Sequence, residues 1–369
     1  MAGSARSTTG PAELHRLRPS IEVFPAQAGE IYLIEPGLEP DLVVRRPEPA
    51  DRIVLRELAR KPVTVAELDA ALEHEGVPLP AAELSRKLAD LRDSGVLTSR
   101  PPGADALAPE DAERFDRQLP YFAETGSPAV AQRRLLAARV VILGCGGLGT
   151  WALGALASAG VRRFVLVDDD TVEPSNLNRQ ILYTLADVGE PKVERAAAWL
   201  RRFEPRAEAE LACRRISGAA DLEPLLAGAD VLVHAADSPP YDIVRWADEA
   251  CRIAGVPYIT AGQVPPVLKI GPTYVPGRSA CFACQELGSR SHFPLYDELT
   301  RFRREHVISA TTLGPASGVV GALLAMEVMH LLTGDAPVAT EGRALLLDMR
   351  TLETRWEGVE RRVDCPACG

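Results

Sequence analysis

Residues 139–149 have the sequence Arg-Val-Val-Ile-Leu-Gly-Cys-Gly-Gly-Leu-Gly, and this stretch decides the fold. Its apolar run predicts a buried strand, and the glycines predict a tight turn into a helix. Gly144, Gly146 and Gly149 fit the pattern G-x-G-x-x-G, with Gly147 inside it. Glycines let a ligand approach the backbone closely, and the free N–H groups of a helix N-terminus attract phosphate. The stretch therefore predicts a nucleotide site.

Apolar, strand-like runs alternate with helical patterns along the C-terminal two thirds of the chain. The runs cover residues 140–143, 164–167, 231–235 and 258–261. This alternation predicts an α/β fold with helices on both faces of a mostly parallel, Rossmann-like sheet. We expect this domain to span residues 138–369.

Asp168 lies about 20 residues beyond the glycine loop, where a carboxylate can bind a ribose hydroxyl. The loop and this acid suit a nicotinamide dehydrogenase as well as an ATP-dependent enzyme. Residues 168–180, Asp-Asp-Asp-Thr-Val-Glu-Pro-Ser-Asn-Leu-Asn-Arg-Gln, distinguish the two. A dehydrogenase has no use for an arginine here, whereas attack on the α-phosphate of ATP requires cations and a carboxylate-held magnesium ion. The stretch favours ATP.

Arg179 and Lys192 are the candidate cations, and Asp237 is the candidate magnesium ligand. Lys192 follows Gly-Glu-Pro at a predicted helix N-terminus, where the helix dipole disfavours a positive charge unless an anion lies opposite. The alternative is a solvated surface lysine. Asp237 follows an apolar strand at its carboxyl end, where ligands of open α/β sheets bind. The alternative for Asp237 is a helix N-cap.

Two C-x-x-C pairs predict a zinc site. Each pair has the spacing at which two thiolates chelate one tetrahedral ion, and two pairs complete its shell. Because no position is left for a catalytic water, we interpret the site as structural. A redox role for one pair is the alternative. The four predicted ligands are Cys281, Cys284, Cys365 and Cys368.

From about residue 114 to residue 369, the chain resembles the ubiquitin-activating-enzyme-like superfamily. It is most similar to the adenylating enzymes of the molybdopterin and thiamine pathways and to the microcin C peptide-adenylating enzyme. The motifs that carry the resemblance follow one another in order. They are Arg-Phe-Asp-Arg-Gln at 114–118, the glycine loop, Asp-x-Asp-Thr-Val, Ser-Asn-Leu-Asn-Arg-Gln, Val-Gly-x-Pro-Lys, a strand-end aspartate and both cysteine pairs.

The resemblance implies an adenylyltransferase that uses ATP, Mg²⁺ and Zn²⁺ to form an acyl-adenylate and pyrophosphate. It implies that Asp168 holds the ribose, that Asn176, Arg179 and Lys192 contact the phosphates, and that Asp237 binds magnesium. It also implies a homodimer in which Arg117 reaches into the partner's nucleotide site; otherwise Arg117 is a charged helix-face residue. The expected catalytic residues are Arg179, Lys192, Asp237 and Arg117. The expected nucleotide-binding residues are Gly144, Gly146, Gly147, Gly149, Asp168, Asp170, Asn176, Arg179 and Lys192.

Several relatives carry a cysteine that takes the acyl group as a thioester, in the loop before the helix that starts here near Gly318. The corresponding residues 306–315 contain no cysteine. Cys145, Cys213 and Cys251 are predicted to be buried packing residues. A thioester relay is therefore disfavoured, and the microcin-type enzyme also works without one. The hydroxyl residues of this stretch either touch substrate or cap the helix; they are Ser309, Thr311 and Thr312.

The N-terminal third predicts a separate small unit. After a disordered tail (1–19), residues 20–102 contain three short strand patterns, three helical patterns and a returning strand, typical of a winged-helix-like α+β domain. Thr64 and Glu67 have capping-box spacing. A linker and helical arm (103–137) follow.

This unit resembles the peptide-clamp or leader-recognition elements of ribosomal-peptide modification enzymes, which bind an extended peptide as an added strand. Winged helices also bind DNA, but acidic residues crowd the middle helix and give it the wrong field for a polyanion. A dimerisation or packing domain is the remaining alternative. The acidic residues are Glu67, Asp69, Glu73 and Glu75.

The overall composition fits a cytoplasmic enzyme. The formal net charge is -10, so no global positive field attracts nucleic acid or anionic lipid. We expect no apolar run of the roughly 20 residues that span a bilayer and no signal peptide. The expected partners are therefore a second copy of the chain and a precursor peptide, with no nucleic acid and no membrane.

The sequence predicts adenylation of a carboxylate of a ribosomally made precursor peptide. Two alternatives stay open. One is the same chemistry on a ubiquitin-like sulfur-carrier protein. The other is a non-catalytic scaffold that delivers a leader peptide to a separate cyclodehydratase.

Overall fold

A computed structural model describes residues 13–18, 20–27, 29–34, 40–44, 46–100, 107–123, 127–306 and 311–369. The chain divides into two compact units, residues 1–132 and residues 133–369. The division falls within helix α6 (Pro128–Ala137).

Unit 1 is an α+β unit with two small antiparallel sheets. Its strands are β1 (Leu14–Leu17), β2 (Glu22–Pro25), β3 (Ile31–Ile34), β4 (Pro40–Val44), β5 (Val63–Thr64) and β6 (Leu97–Arg100). Its helices before α6 are α1 (Pro49–Arg60), α2 (Val65–His74), α3 (Ala81–Asp93), α4 (Pro109–Arg114) and α5 (Leu119–Ala123). One sheet has the order β5-β1-β6, and the other has the order β2-β3-β4.

One apolar core holds this unit together, because helix stripes and alternate strand residues converge on it. Leu33 of β3, Leu58 of α1 and Leu68 of α2 are completely buried in that core. The predicted capping box at the start of α2 is confirmed. The Glu67 N–H donates to Thr64 Oγ1 at 3.1 Å, and the Thr64 N–H donates to Glu67 Oε2 at 2.8 Å.

The predicted disordered tail is wrong for residues 14–17, which form β1. This strand is the middle strand of its sheet and pairs with β5 and β6. Leu17 is buried in the core at 2% exposure. The partners of β1 lie about 50 and 80 residues further along the chain, so no local pattern indicated the pairing. The rest of the tail, residues 1–12 and 19, lies outside the described residues.

Unit 2 is built on an eight-stranded sheet with the order β14-β13-β12-β11-β10-β7-β8-β9. The strands are β7 (Arg139–Leu143), β8 (Arg163–Val167), β9 (Glu208–Ala212), β10 (Val231–His234), β11 (Tyr258–Val264), β12 (Val267–Tyr274), β13 (Arg343–Asp348) and β14 (Thr354–Gly358). Strands β7 to β11 pair in parallel, and β11 to β14 pair antiparallel. The predicted α/β class and mostly parallel, Rossmann-like sheet are confirmed.

Helices cover both faces of this sheet. They are α7 (Gly147–Ala159), α8 (Lys192–Phe203), α9 (Ala219–Leu222), α10 (Asp242–Ala254), α11 (Phe282–His292), α12 (Tyr296–Glu305) and α13 (Gly314–Thr333). Short 3₁₀ helices cover Pro174–Asn176, Leu185–Asp187 and Glu223–Leu226. Contacts link α7 with α8 and α13, whereas α10 contacts α9 and α11.

Helix α13 corrects the expectation that no apolar run reaches 20 residues. Its 20 residues are long and apolar enough to cross a membrane, but more than half of its apolar window is buried inside the protein. The reason is close packing against α7. A Cβ on Gly321 would come within 2.4 Å of the Trp151 Cβ, so glycine lets the two helices approach each other. A helix that is buried in the core of a protein can be as long and as apolar as a helix that spans a membrane.

The order of the strands identifies where a ligand binds. The chain runs from β7 outward to β8 and β9, and then returns to place β10 on the other side of β7. In open α/β sheets, ligands bind outside the carboxyl ends of the strands at such a reversal. The loop after β7 and the loop after β10 flank this point. The first carries the glycines and the second carries Asp237.

Candidate functional site

The glycine loop is shaped by two contacts that only glycine allows. Gly144 has a φ of +96°, and a Cβ there would lie 2.7 Å from the carbonyl carbon of Ala235. A Cβ on Gly149 would lie 1.9 Å from the Gly144 oxygen. The loop therefore folds tightly onto the start of α7 and against the chain leaving β10. The first N–H groups of α7 have no acceptor within the helix, so they are available to a ligand at this loop.

Asp168 is tied to the glycine loop from the end of the neighbouring strand. Its Oδ2 accepts the Cys145 N–H at 2.6 Å, and its Oδ1 accepts the Asp170 N–H at 2.9 Å. Burial raises the pKa of the Asp168 carboxyl, and the positive charge of Lys192 partly opposes this rise. The carboxylate is thus fixed beside the loop.

Lys192 is the first residue of α8, and it is buried, with 6% of its surface exposed. The alternative of a solvated surface lysine is therefore wrong. Its Nζ donates to Asp170 Oδ2 at 2.6 Å. The side chain of Asp170 is 66% exposed, so this carboxylate can give way to another anion. A desolvated ammonium group thus lies beside the residues that brace the loop.

Arg179 lies against Gly147 of the loop. A Cβ on Gly147 would meet the Arg179 Cγ at 3.3 Å and the Ser317 Oγ at 3.1 Å. The guanidinium Nη1 donates to the Ser175 oxygen at 3.0 Å and to Asn178 Oδ1 at 2.9 Å.

Asn176, in contrast, is buried and committed to the local backbone. Its Oδ1 accepts the Glu173 N–H at 3.1 Å. Its side chain therefore shapes the 3₁₀ turn that leads to Arg179. A phosphate contact for Asn176 stays a prediction.

Asp237 is an exposed residue in the loop after β10. The Ala235 N–H, two residues before it, donates to the Leu143 oxygen at 2.8 Å, which ties this loop to the end of β7. The N-cap alternative is wrong, because α10 begins at Asp242 and its N-cap is Tyr241.

Arg117 lies in unit 1, in the turn between α4 and α5, so the helix-face alternative for it is also wrong. Its side chain is 97% exposed and approaches Asp116 at 3.7 Å.

Three residues at the loop escaped the sequence analysis. Tyr183 OH donates to the Cys145 oxygen at 2.8 Å, which braces the loop from below. Gln180 is 2% exposed, and its Nε2 is the nearest atom to a Cβ built on Gly146, at 3.9 Å. Ser317, in the first turn of α13, shares a hydrogen bond of 2.9 Å with Gln263. Among these three, only Gln180 carried a sequence signal, because it is the last residue of the Asn-Arg-Gln motif.

The four cysteines of the two C-x-x-C pairs form one cluster. Cys281 Sγ lies 3.5 Å from Cys365 Sγ, and Cys284 Sγ lies 3.4 Å from Cys368 Sγ. A tetrahedral zinc with bonds of about 2.3 Å needs sulfur–sulfur distances of roughly 3.8 Å. The donor set and its spacing therefore fit zinc.

The remaining cysteines require one correction. Cys145 and Cys251 are buried, as predicted, but Cys213 is exposed. It follows the last residue of β9, which is the edge strand of the sheet, so no neighbour covers it.

Thr311 and Thr312 do not cap α13, because its N-cap is Leu313. Thr311 is exposed and Thr312 is half-buried, whereas Ser309 lies outside the described residues.

Comparison with known proteins shows the family of the chain. The model of the ThiF family matches residues 115–367. The SAMP-activating enzyme E1 of Haloferax volcanii is 34% identical over 268 residues, covering 70% of this chain and 90% of that protein. The sulfur carrier protein ThiS adenylyltransferase of Escherichia coli is 34% identical over 238 residues, covering 64% of this chain and 88% of that protein.

Solved structures extend the similarity to nearly the whole chain. The crystal structure of E. coli MccB with ATP has a TM-score of 0.75 at 25% identity, covering 96% of this chain and 100% of that one. A second MccB structure, with MccA, has the same TM-score and identity, and the similarity covers 96% of this chain and 99% of that one.

The family match identifies an ATP-dependent enzyme that adenylates a carboxylate, and the glycine loop at the strand-order reversal is consistent with it. The chain belongs to the ThiF family, and it is an adenylyltransferase.

The glycine loop yields a direct prediction for ATP binding. Gly149→Ala places a Cβ where the Gly144 oxygen lies, so the loop must open. We expect calorimetric ATP affinity to fall at least about tenfold, the effect of losing one charge-assisted hydrogen bond. Gly154→Ala, also in α7, is the control. Its Cβ would have 3.8 Å of clearance from Trp199, so ATP binding should be unchanged. Equal affinities for the two variants would contradict this account of the loop.

Proposed function

We propose that this adenylyltransferase activates a carboxylate of a ribosomally made precursor peptide, in the biosynthesis of a peptide natural product. A carboxylate oxygen attacks the α-phosphorus of ATP, the bond to the β-phosphate oxygen breaks, and pyrophosphate leaves. The product is an acyl-adenylate. Carboxylates resist nucleophiles, and AMP provides a good leaving group for the next step.

The observation that carries the choice of substrate is the extent of the similarity. MccB in its structure with MccA matches 96% of this chain at a TM-score of 0.75, and this match includes most of unit 1. An enzyme specialised for a peptide has a use for the additional unit.

Unit 1 also offers free strand edges to a peptide. In the β2-β3-β4 sheet, both outer strands pair only with β3 among the described residues. Phe24 of β2 is 54% exposed. An extended peptide can add to such an edge by main-chain hydrogen bonds, with side-chain pockets supplying specificity. The acidic Glu67 and Glu73 of α2 are exposed, which disfavours DNA as the ligand.

In the proposed mechanism, catalysis consists of positioning and charge neutralisation. Asp168 accepts the ribose hydroxyls. Arg179 and Lys192 approach the phosphates from two sides of the glycine loop, and Lys192 exchanges the exposed carboxylate of Asp170 for the polyphosphate. Because Lys192 is already desolvated, its charge acts in a medium of low dielectric.

Asp237 would hold magnesium. Its exposed carboxylate supplies the oxygen ligand that this ion prefers, at the strand end next to the glycine loop. When bound, the ion neutralises charge that builds on the phosphate oxygens. Asp237 thereby orients the nucleotide without itself bonding to the peptide.

A homodimer would complete the site through Arg117 of the second subunit. The almost fully exposed side chain of Arg117 has no fixed partner other than its sequence neighbour among the described residues, so it is available to an external anion. The mechanism uses no thioester: Cys145 is buried within the glycine loop, and burial raises the pKa of its thiol well above the ordinary value. A nitrogen nucleophile would take the acyl group directly.

The cysteine cluster would hold one structural zinc ion in a reducing cytoplasm, where thiols persist. Cys281 is the N-cap of α11, and Cys365 and Cys368 lie close to residue 369. The ion would therefore tie residues 365–368 to the start of α11. With four thiolates bound, it would have no open position for chemistry.

The zinc assignment predicts one Zn²⁺ per chain by atomic emission. The double variant Cys365→Ser/Cys368→Ser should lose the ion and melt on the order of 10 °C lower, because metal binding contributes directly to folding. Cys213→Ser should keep both the zinc and the melting temperature, because Cys213 is exposed and remote from the cluster. A metal-free protein of unchanged stability would rule out the structural zinc.

The substrate is tested by ATP–pyrophosphate exchange. We expect MgATP-dependent exchange with a precursor peptide encoded beside the gene and none with a sulfur-carrier protein. A peptide with an amidated C-terminus should be inactive if the C-terminal carboxylate is the one activated; a side-chain carboxylate would remain reactive.

Two outcomes would contradict the proposal. Exchange with the sulfur carrier alone would favour the sulfur-carrier alternative. A failure to bind ATP at all would favour the scaffold alternative, in which the chain delivers a leader peptide to a cyclodehydratase.

A further inference from the structure

The loop that carries Asp237 is held at both of its ends. It runs from the end of β10 to the start of α10, over residues 235–241. At the first end, the Ala235 N–H donates a hydrogen bond to the Leu143 oxygen at the end of β7, and the Ala235 backbone packs against Gly144. At the second end, Tyr241 has a φ of +65°, in the left-handed region that non-glycine residues rarely adopt. Such a conformation persists only where the surroundings hold it.

Two consecutive arginines of α12 contact this end of the loop. Arg303 Nη1 donates to the Tyr241 hydroxyl at 2.9 Å. Arg304 Nη2 donates to Asp242 Oδ1 at 2.7 Å. The two acceptors are the N-cap and the first residue of α10. The contacts therefore fix the point at which the Asp237 loop joins its helix.

Further ion pairs connect this junction to the neighbouring helices. Arg245 of α10 lies 3.5 Å from Asp242 and donates through Nε to both oxygens of Glu286 at 3.0 and 3.1 Å. Glu286, in α11, also accepts the Tyr296 hydroxyl of α12 at 3.4 Å. Half-buried charged groups of this kind hold a defined geometry better than exposed pairs do.

The position of α12 depends on these polar contacts, because the helix buries little of itself. Thr300 is its one buried residue among Tyr296–Glu305. The helix therefore lacks the apolar stripe that normally fixes a helix to a core. Arg303 and Arg304 thus contribute both to the position of α12 and to the contacts of the α10 junction.

From these contacts we infer that Arg303 and Arg304 are positioning residues for the adenylation reaction. They hold the Tyr241–Asp242 junction so that the Asp237 carboxylate faces the glycine loop. They contact neither the nucleotide nor the metal and act through the loop. This inference rests on the magnesium role that the proposed function gives to Asp237.

The test measures the binding of a non-hydrolysable ATP analogue by calorimetry while Mg²⁺ is varied. The double variant Arg303→Ala/Arg304→Ala loses charge-assisted hydrogen bonds. We therefore expect the Mg²⁺ concentration at which Mg²⁺ gives half of its full increase in analogue affinity to rise about tenfold. Analogue affinity without Mg²⁺ should not change. Replacement of both arginines by lysine should bring the Mg²⁺ dependence most of the way back to that of the unaltered protein. Arg301→Ala is the matched control on α12, since Arg301 is exposed and forms no hydrogen bond or ion pair among the described residues.

A milder variant keeps the inference testable if the double arginine variant misfolds. Tyr241→Phe removes a single hydroxyl and should raise the same Mg²⁺ concentration by about threefold, the effect of one modest hydrogen bond. Arg303→Ala should add little to Tyr241→Phe, because both remove the same contact. Additive effects of the two changes would overturn the inference.

Asp237→Asn separates this inference from the proposed function. If Asp237→Asn shifts the Mg²⁺ dependence and the arginine variants match Arg301→Ala, the positioning role alone is wrong. If Asp237→Asn shifts nothing, the magnesium role of Asp237 is wrong, and the positioning role falls with it.

Discussion

The proposed nucleotide site depends on a lysine ammonium group that is buried at the N-terminus of a helix. Burial and the helix dipole both disfavour a positive charge there. Asp170 offsets this cost in part, and its backbone N–H binds Asp168, which in turn binds the glycine loop. One continuous series of hydrogen bonds therefore links the cation to the turn after β7. Because Asp170 is mostly exposed, the arrangement can accept a phosphate in its place.

The sheet also positions the other groups of the proposed site. The reversal of strand order brings the loop after β10 against the glycine turn, and α13 brings Ser317 to Gly147. Arg179 lies on the same glycine. The proposed nucleotide contacts come from the sheet and its adjoining loops, and substrate recognition can be added by another unit.

Local patterns predicted much of this molecule, and long-range contacts account for what was missed. The glycine spacing, the Thr64–Glu67 capping box and the cysteine pairs are short motifs with a physical cause, so the sequence was sufficient for them. Strand β1 was missed because its partners are distant in sequence. Cys213 was misplaced because the exposure of β9 follows from its edge position, which no local pattern encodes. Tyr183 reaches the loop only through the fold.

The most direct test of this account is calorimetric titration of Lys192→Met with a non-hydrolysable ATP analogue and Mg²⁺. Methionine preserves the unbranched stem and removes the charge, and Asp170 is exposed enough to remain solvated. We predict that the dissociation constant rises by about 10- to 100-fold, whereas Arg195→Met in the same helix leaves it unchanged. Equal affinities for Lys192→Met and the unaltered protein would contradict the claim that this buried cation holds the triphosphate.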